Sequence, residues 1–86
     1  MEELKHLRDK IDEVDEQILH SLNERVRICR SISSTKQKMG IPVKDPAREK
    51  EVYRRVSERA AEFGLDSHQV EAVYHEIVNM CSSVQE

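Results

Sequence analysis

The chain has 86 residues, a formal net charge of −3, 36% charged residues, and only two Tyr and one Phe as aromatic residues. This length supports one domain, residues 1–86, and the balanced charge argues against nucleic-acid binding, which typically requires a basic excess. Short apolar runs and a charged N-terminal stretch predict neither a membrane span nor a signal peptide, so we expect a cytoplasmic protein in which Cys29 and Cys81 are reduced thiols.

Glycine and proline divide the sequence into three predicted helices. The first covers Glu2–Met39, because no breaker interrupts it and its apolar residues recur three and four positions apart. The second follows the N-cap residue Asp45, has Pro46 at its first position and ends at Gly64. The third follows Asp66 as its N-cap. No segment alternates with period two, so we predict an all-α fold.

The predicted first helix is too long for a compact protein of this size. It would measure ~55 Å, whereas a globular chain of this length has a radius of gyration of ~12 Å. We therefore expect the helix to extend beyond its own domain, and a second chain to cover its apolar stripe. That stripe comprises Leu4, Leu7, Ile11, Val14, Ile18, Leu22, Cys29 and Ile32.

Two cations lie within the same apolar stripe. Arg25 and Lys36 are three helical turns apart and share one face of the first helix. Desolvating a cation is costly unless an anion meets it. One interpretation is that their aliphatic stems pack while the charges reach solvent or pair with an internal carboxylate. The other is a pocket for an anionic ligand.

Further polar candidates lie at the start of the second helix and the end of the third. Asp45, Arg48 and Glu49 share a face with apolar residues, although a helix cap and a solvated Arg48–Glu49 pair would also explain them. Cys81 and Gln85 are one turn apart and flank an apolar stripe, although Gln85 is also interpretable as a frayed terminal residue.

Two other polar groups are predicted to be surface features. His68, Glu71 and His75 share a face of the third helix opposite its apolar stripe, and their spacing is not a known zinc pattern. We therefore expect that face to be solvated and to bind no metal. Arg54 and Arg55 are likewise predicted to lie on a solvated helix face.

The motifs containing these candidates resemble those of the all-helical chorismate mutase family. The resemblance covers nearly the whole chain and rests on LRDKID at 7–12, NER at 23–25, Lys36, IPVKDPARE at 41–49 and Gln85. It implies an intertwined homodimer of three-helix protomers with two equivalent active sites. It further implies the Claisen rearrangement of chorismate to prephenate, on the way to phenylalanine and tyrosine, without a cofactor or metal.

The resemblance also implies roles for the basic residues and for one amide. Arg25 and Arg48 match the arginines that bind the substrate carboxylates, and Arg8 matches the arginine that the partner chain contributes. Lys36 matches the lysine at the ether oxygen, and Gln85 matches the second donor to that oxygen. Lys36 and Gln85 would thus be the catalytic residues.

The acidic residues and one cysteine complete the implied site. Asp45 and Glu49 match the acidic residues around the ring hydroxyl. Cys81 departs from the enteric members of the family, which have a serine near a substrate carboxylate, and a thiol is a weaker donor than a hydroxyl. We expect Cys81 to be a substrate contact that differs in strength from the family pattern.

Two alternatives to a mutase remain at this stage. An isochorismate pyruvate lyase on the same scaffold would use a similar cationic pocket but would eliminate pyruvate. A non-catalytic helical dimerisation module would leave Arg25 and Lys36 as core charges without a ligand.

Overall fold

Three helices separated by two short connections make up the chain. The computed structural model describes residues 1–85, with side chains described for residues 1–82. Helix α1 covers Glu2–Met39, α2 covers Pro46–Glu62 and α3 covers Ser67–Gln85. No strand occurs among residues 1–85, and no helix in this part of the chain has the length and apolar character needed to cross a membrane. The predicted all-α class is confirmed.

Local capping explains where α2 and α3 begin. The Asp45 carboxylate accepts a hydrogen bond of 3.1 Å from the backbone N–H of Arg48, and the Asp66 carboxylate accepts one of 3.0 Å from the backbone N–H of Gln69. Both N-caps were predicted from the sequence. Gly64 follows the end of α2 with a φ of 74°, a left-handed conformation that favours glycine.

The third helix holds the other two together. Helices α1 and α2 pack against α3 and not against each other. The buried apolar residues of α2 are Val52, Val56 and Ala60, and those of α3 in the described part are Val78 and Cys81. Because α1 and α2 both pack on α3 without contacting each other, a space remains between them.

One face of α3 makes a contact that was not predicted. We expected the face with Glu71 and His75 to be solvated, but the His75 imidazole stacks on the Tyr53 ring of α2, with ring centroids 4.0 Å apart. Glu71 is half-buried, whereas His68 is exposed. The predicted solvation is confirmed for His68 and His75, which are both exposed, while the ring contact with α2 was not predicted. Among the described residues, no group of His, Cys, Asp and Glu side chains is arranged to hold a metal ion.

Helix α1 extends well beyond the other two helices, as predicted. The molecule measures 58 × 24 × 16 Å, and its length matches the ~57 Å of α1 alone. The apolar stripe of the N-terminal half of α1 is exposed in the single chain, as Ile11 at 60% and Ile18 at 51% illustrate. A continuous apolar stripe of this kind is typical of a surface that is buried in an assembly.

The cap of α3 gives a test of the fold that leaves the candidate site untouched. Replacing Asp66 by alanine removes the acceptor for the Gln69 N–H, so we expect the free energy of unfolding to fall by about 1 kcal/mol. Asp66→Asn keeps a side-chain oxygen acceptor and should lose less than half of that. Urea unfolding at one fixed protein concentration measures both. Equal losses would show that charge, and not the hydrogen bond, stabilises this helix end.

Candidate active site

A cavity of about 250 Å³ occupies the space between α1 and α2, beside the C-terminal part of α3. This volume lies slightly below the ~300 Å³ at which typical ligand pockets begin. Six of the eight predicted site residues line it, from all three helices and the connection before α2. They are Arg25, Lys36, Asp45, Arg48, Glu49 and Cys81.

Arg25 reaches across the cavity from α1 towards α3. Its Nη1 lies 2.7 Å from the Sγ of Cys81 and 3.9 Å from the Sγ of Cys29. The side chain is half-buried, and no carboxylate among the side chains of residues 1–82 forms an ion pair with it. Sulfur is a weak acceptor, so the guanidinium retains most of its capacity to bind an anion.

Lys36 lines the same cavity from the last turn of α1. Its Nζ donates a hydrogen bond of 3.0 Å to the backbone carbonyl of Val43, in the connection that leads to α2. Lys36 is half-buried and, like Arg25, forms no ion pair with any carboxylate among the side chains of residues 1–82. Within residues 1–82, therefore, no internal carboxylate neutralises Arg25 or Lys36, although the sequence had left that alternative open.

The start of α2 supplies both acids and another cation. Asp45 is exposed and caps the helix, so its carboxylate has a structural role as well as a place at the cavity. Arg48 pairs with Glu51 at 3.2 Å. The alternative of a solvated Arg48–Glu49 pair was therefore wrong: Glu51 lies one turn beyond Arg48 on the exposed side, while Glu49 is half-buried at the cavity.

Arg55 is exposed, as predicted, but it also lines the cavity, which was not predicted. It lies two turns after Arg48 on the same side of α2, and that spacing was the signal that would have revealed it. The cavity is thus lined by four cations and two acids: Arg25, Lys36, Arg48, Arg55, Asp45 and Glu49. This excess of positive charge suits a ligand with two negative charges.

Arg8 is not brought to the cavity within one chain, and the position of the Gln85 side chain lies outside what the structure describes. Arg8 is exposed on the overhanging half of α1, and it is about 25 Å from Arg25 along the helix axis. Gln85 ends α3, and its side chain lies outside the described residues.

Comparison with known proteins identifies the family. Residues 7–86 match the family model described as chorismate mutase type II. The chain belongs to this family. The match includes every candidate residue named above, and it confirms the resemblance and the enzyme class inferred from the sequence motifs.

Individual relatives agree with that assignment. The chain is 37% identical over 68 residues to the chorismate mutase of Methanocaldococcus jannaschii, which covers 79% of this chain and 69% of the relative. It is 38% identical over 88 residues to the bifunctional chorismate mutase/prephenate dehydratase of Aquifex aeolicus. That match covers 99% of this chain but spans only 24% of the bifunctional protein.

A solved structure shares the fold. A conserved hypothetical protein from Pyrococcus furiosus superposes with a TM-score of 0.74 at 32% sequence identity. The match covers 96% of this chain and 95% of the other. The chain thus shares its overall architecture with that solved structure.

The cavity contains one strongly perturbed thiol. Burial and the adjacent Cys81 raise the pKa of Cys29 from 9.0 to about 11, although Arg25 opposes the shift. The folded state therefore keeps this proton at pH values where the unfolded state has lost it. The resulting stabilisation is complete below pH 9 and is lost as the pH rises towards 11.

Titration of Cys29 should make the free energy of unfolding depend on pH. We expect the free energy of unfolding to fall between pH 9 and 11, by up to about 2 kcal/mol more in the wild type than in Cys29→Ala. Urea unfolding of both proteins across this range measures the difference in their free energies of unfolding. Lys and Tyr residues titrate in both proteins, so their contribution drops out of that difference. Parallel pH profiles would show that Cys29 titrates normally.

Proposed function

We propose that this chain is a chorismate mutase that converts chorismate to prephenate by a Claisen rearrangement, in the biosynthesis of phenylalanine and tyrosine. One observation carries the proposal. In a chain of this family, Arg25 and Lys36 line one cavity, and neither forms an ion pair with a carboxylate among the side chains of residues 1–82. Residues 1–86 would form one catalytic domain of a cytoplasmic protein.

The reaction explains the composition of the cavity. In this rearrangement one C–O bond breaks while one C–C bond forms, with neither a nucleophile nor a proton transfer. The enzyme has to hold a flexible dianion in its reactive conformation and to stabilise negative charge that develops on the ether oxygen. Fixed hydrogen-bond donors and cations meet both needs.

The residues divide between these two tasks. Lys36 would donate from its Nζ to the ether oxygen, with the Gln85 amide as the second donor. Arg25 and Arg48 would bind the two carboxylates, for which the planar guanidinium offers paired donors. Arg25 would exchange its weak contact with the Cys81 sulfur for a charge-assisted hydrogen bond.

The remaining side chains would orient the ring. Asp45 and Glu49 would accept from the ring hydroxyl, although one oxygen of Asp45 already accepts from the Arg48 N–H. Cys81 would lie near a carboxylate and contribute a weak donor.

We propose an intertwined homodimer as the active form. Three features support it: the exposed apolar stripe of α1, the small volume of the cavity and the distance of Arg8 from the cavity of its own chain. A second α1 lying along the first would cover the stripe and carry its Arg8 to the neighbouring site. Each site would then contain residues of both chains.

A direct assay tests the proposed activity and its alternatives. Chorismate and isochorismate are offered separately, and the loss of chorismate absorbance, prephenate and salicylate are followed. A mutase forms prephenate from chorismate, whereas an isochorismate pyruvate lyase forms salicylate and pyruvate from isochorismate. A helical dimerisation module consumes neither substrate. Absence of prephenate with a folded dimer would overturn the proposal.

Lys36 offers a test with a matched control nearby. Lys36→Met removes the proposed donor to the ether oxygen, so we expect kcat to fall at least about 100-fold, as when an oxyanion-hole donor is removed. Lys38→Met changes the same residue type at an exposed position in the last turn of α1 and should leave kcat within about twofold. Similar losses in both variants would remove Lys36 from the chemistry.

A shared site predicts complementation between inactive chains. Arg8→Ala and Arg25→Ala should each be nearly inactive alone. In a refolded equal mixture, half of the dimers are mixed and each has one intact site of two, so activity should recover to about a quarter of wild type. Mixed dimers without recovered activity would contradict a site built from both chains.

A further inference from the structure

Two free cysteines from different helices meet at the wall of the candidate active site. Cys29 lies on α1 and Cys81 on α3, and both are buried, with exposed fractions of 8% and 4%. We propose that Cys29 and Cys81 form a reversible disulfide across this cavity, through which hydrogen peroxide switches the enzyme off. The effect on activity rests on the proposed mutase function, whereas the disulfide itself does not.

The geometry brings the two sulfurs together. One nitrogen, Nη1 of Arg25, lies 2.7 Å from the Cys81 Sγ and 3.9 Å from the Cys29 Sγ. Because both sulfurs lie beside the same guanidinium nitrogen, they are neighbours at the cavity wall. A disulfide between these residues therefore requires the two sulfurs to move closer together from their positions beside this nitrogen.

The cavity gives a small oxidant access to both thiols. Cys29 and Cys81 line its 250 Å³ although each is nearly covered by protein. Hydrogen peroxide is little larger than water and fits this space, whereas a bulky disulfide such as oxidised glutathione does not fit as easily. Cys81, which lies against the Arg25 guanidinium, is the thiol that would react first.

The chemistry balances with peroxide as the only co-reactant. The Cys81 thiolate attacks one peroxide oxygen, the O–O bond breaks, and a sulfenic acid and hydroxide form. The Cys29 thiolate then attacks the Cys81 sulfur, the S–S bond forms, and the sulfenic oxygen leaves as hydroxide. Protonation of both hydroxides by the two thiol protons gives two waters, so two thiols are oxidised while one peroxide is reduced.

Closure of the disulfide would change the site in two ways. It removes the Cys81 S–H donor, and it draws the two sulfurs to about 2.05 Å, which displaces the contacts that now hold Arg25. Both changes affect the proposed carboxylate-binding region. Because burial and Cys81 raise the pKa of Cys29 to about 11, the second step should be slow at neutral pH and faster at alkaline pH.

The experiment compares wild type with two single-cysteine variants before and after peroxide treatment. In the wild type we expect a mass loss of two hydrogens per chain, a crosslinked peptide containing Cys29 and Cys81, and a loss of kcat/KM of at least about tenfold that dithiothreitol reverses. The kcat/KM of each variant after peroxide treatment is compared with that of the same variant in its reduced form. Neither Cys29→Ala nor Cys81→Ser should show a loss that dithiothreitol reverses through this crosslink.

Each outcome decides the proposal. Absence of the Cys29–Cys81 crosslink, or crosslinks only between separate chains, would overturn it, and so would a crosslink that leaves kcat/KM unchanged. If the reduced chain proves inactive on chorismate, the mutase proposal fails separately. The crosslink is then still tested by mass and by a rise in Tm of at least about 10 °C, since it closes a long loop of the chain.

Discussion

The positions of two half-buried cations on one helix face govern much of this molecule. Arg25 and Lys36 lie among the apolar residues of α1, where a helix in a simple bundle would carry aliphatic side chains. Desolvated cations without an anionic partner oppose folding. Their presence requires that α1 stay apart from α2 at this level, because close packing would bury both charges. The cavity is the structural consequence of that requirement.

Helix α3 makes this separation compatible with a stable fold. It packs on α1 and on α2 at the same time, and its short residues Val78 and Cys81 allow close approach on the cavity side. On the other side it presents His75 to Tyr53. The buried apolar set of a single chain is small, which agrees with the proposal that the stripe of α1 is covered by a second copy. Stability and the completion of the site would then depend on the same association.

Much of the fold was predictable because it follows from local rules. Gly, Pro and the acidic caps Asp45 and Asp66 fix the helix boundaries through backbone geometry that involves only neighbouring residues. Helical periodicity likewise placed Arg25 and Lys36 on one face. The roles of Asp45, Arg48 and Glu49 came from the resemblance to a family, and the structure adds that these residues line the same cavity as the α1 cations.

Other features depended on packing between distant parts of the chain and were not predictable. The contact of the exposed His75 with Tyr53 was not predicted, because a periodic pattern reveals one packed face and not two. Arg55 is an exposed residue, as predicted, but its position at the cavity follows from how α2 packs. The neighbouring thiols of Cys29 and Cys81 come from separate helices, so their spacing in sequence carried no redox signal.

The binding of a dianion tests the central claim that these cations form a ligand site. Isothermal titration calorimetry with a dianionic bicyclic ether that mimics the transition state should give saturable binding of one molecule per chain. A matched compound with one carboxylate should bind at least about 100-fold more weakly, because a charge-assisted pair contributes about 3 kcal/mol. Absence of saturable binding, or equal affinities for the two compounds, would contradict the account.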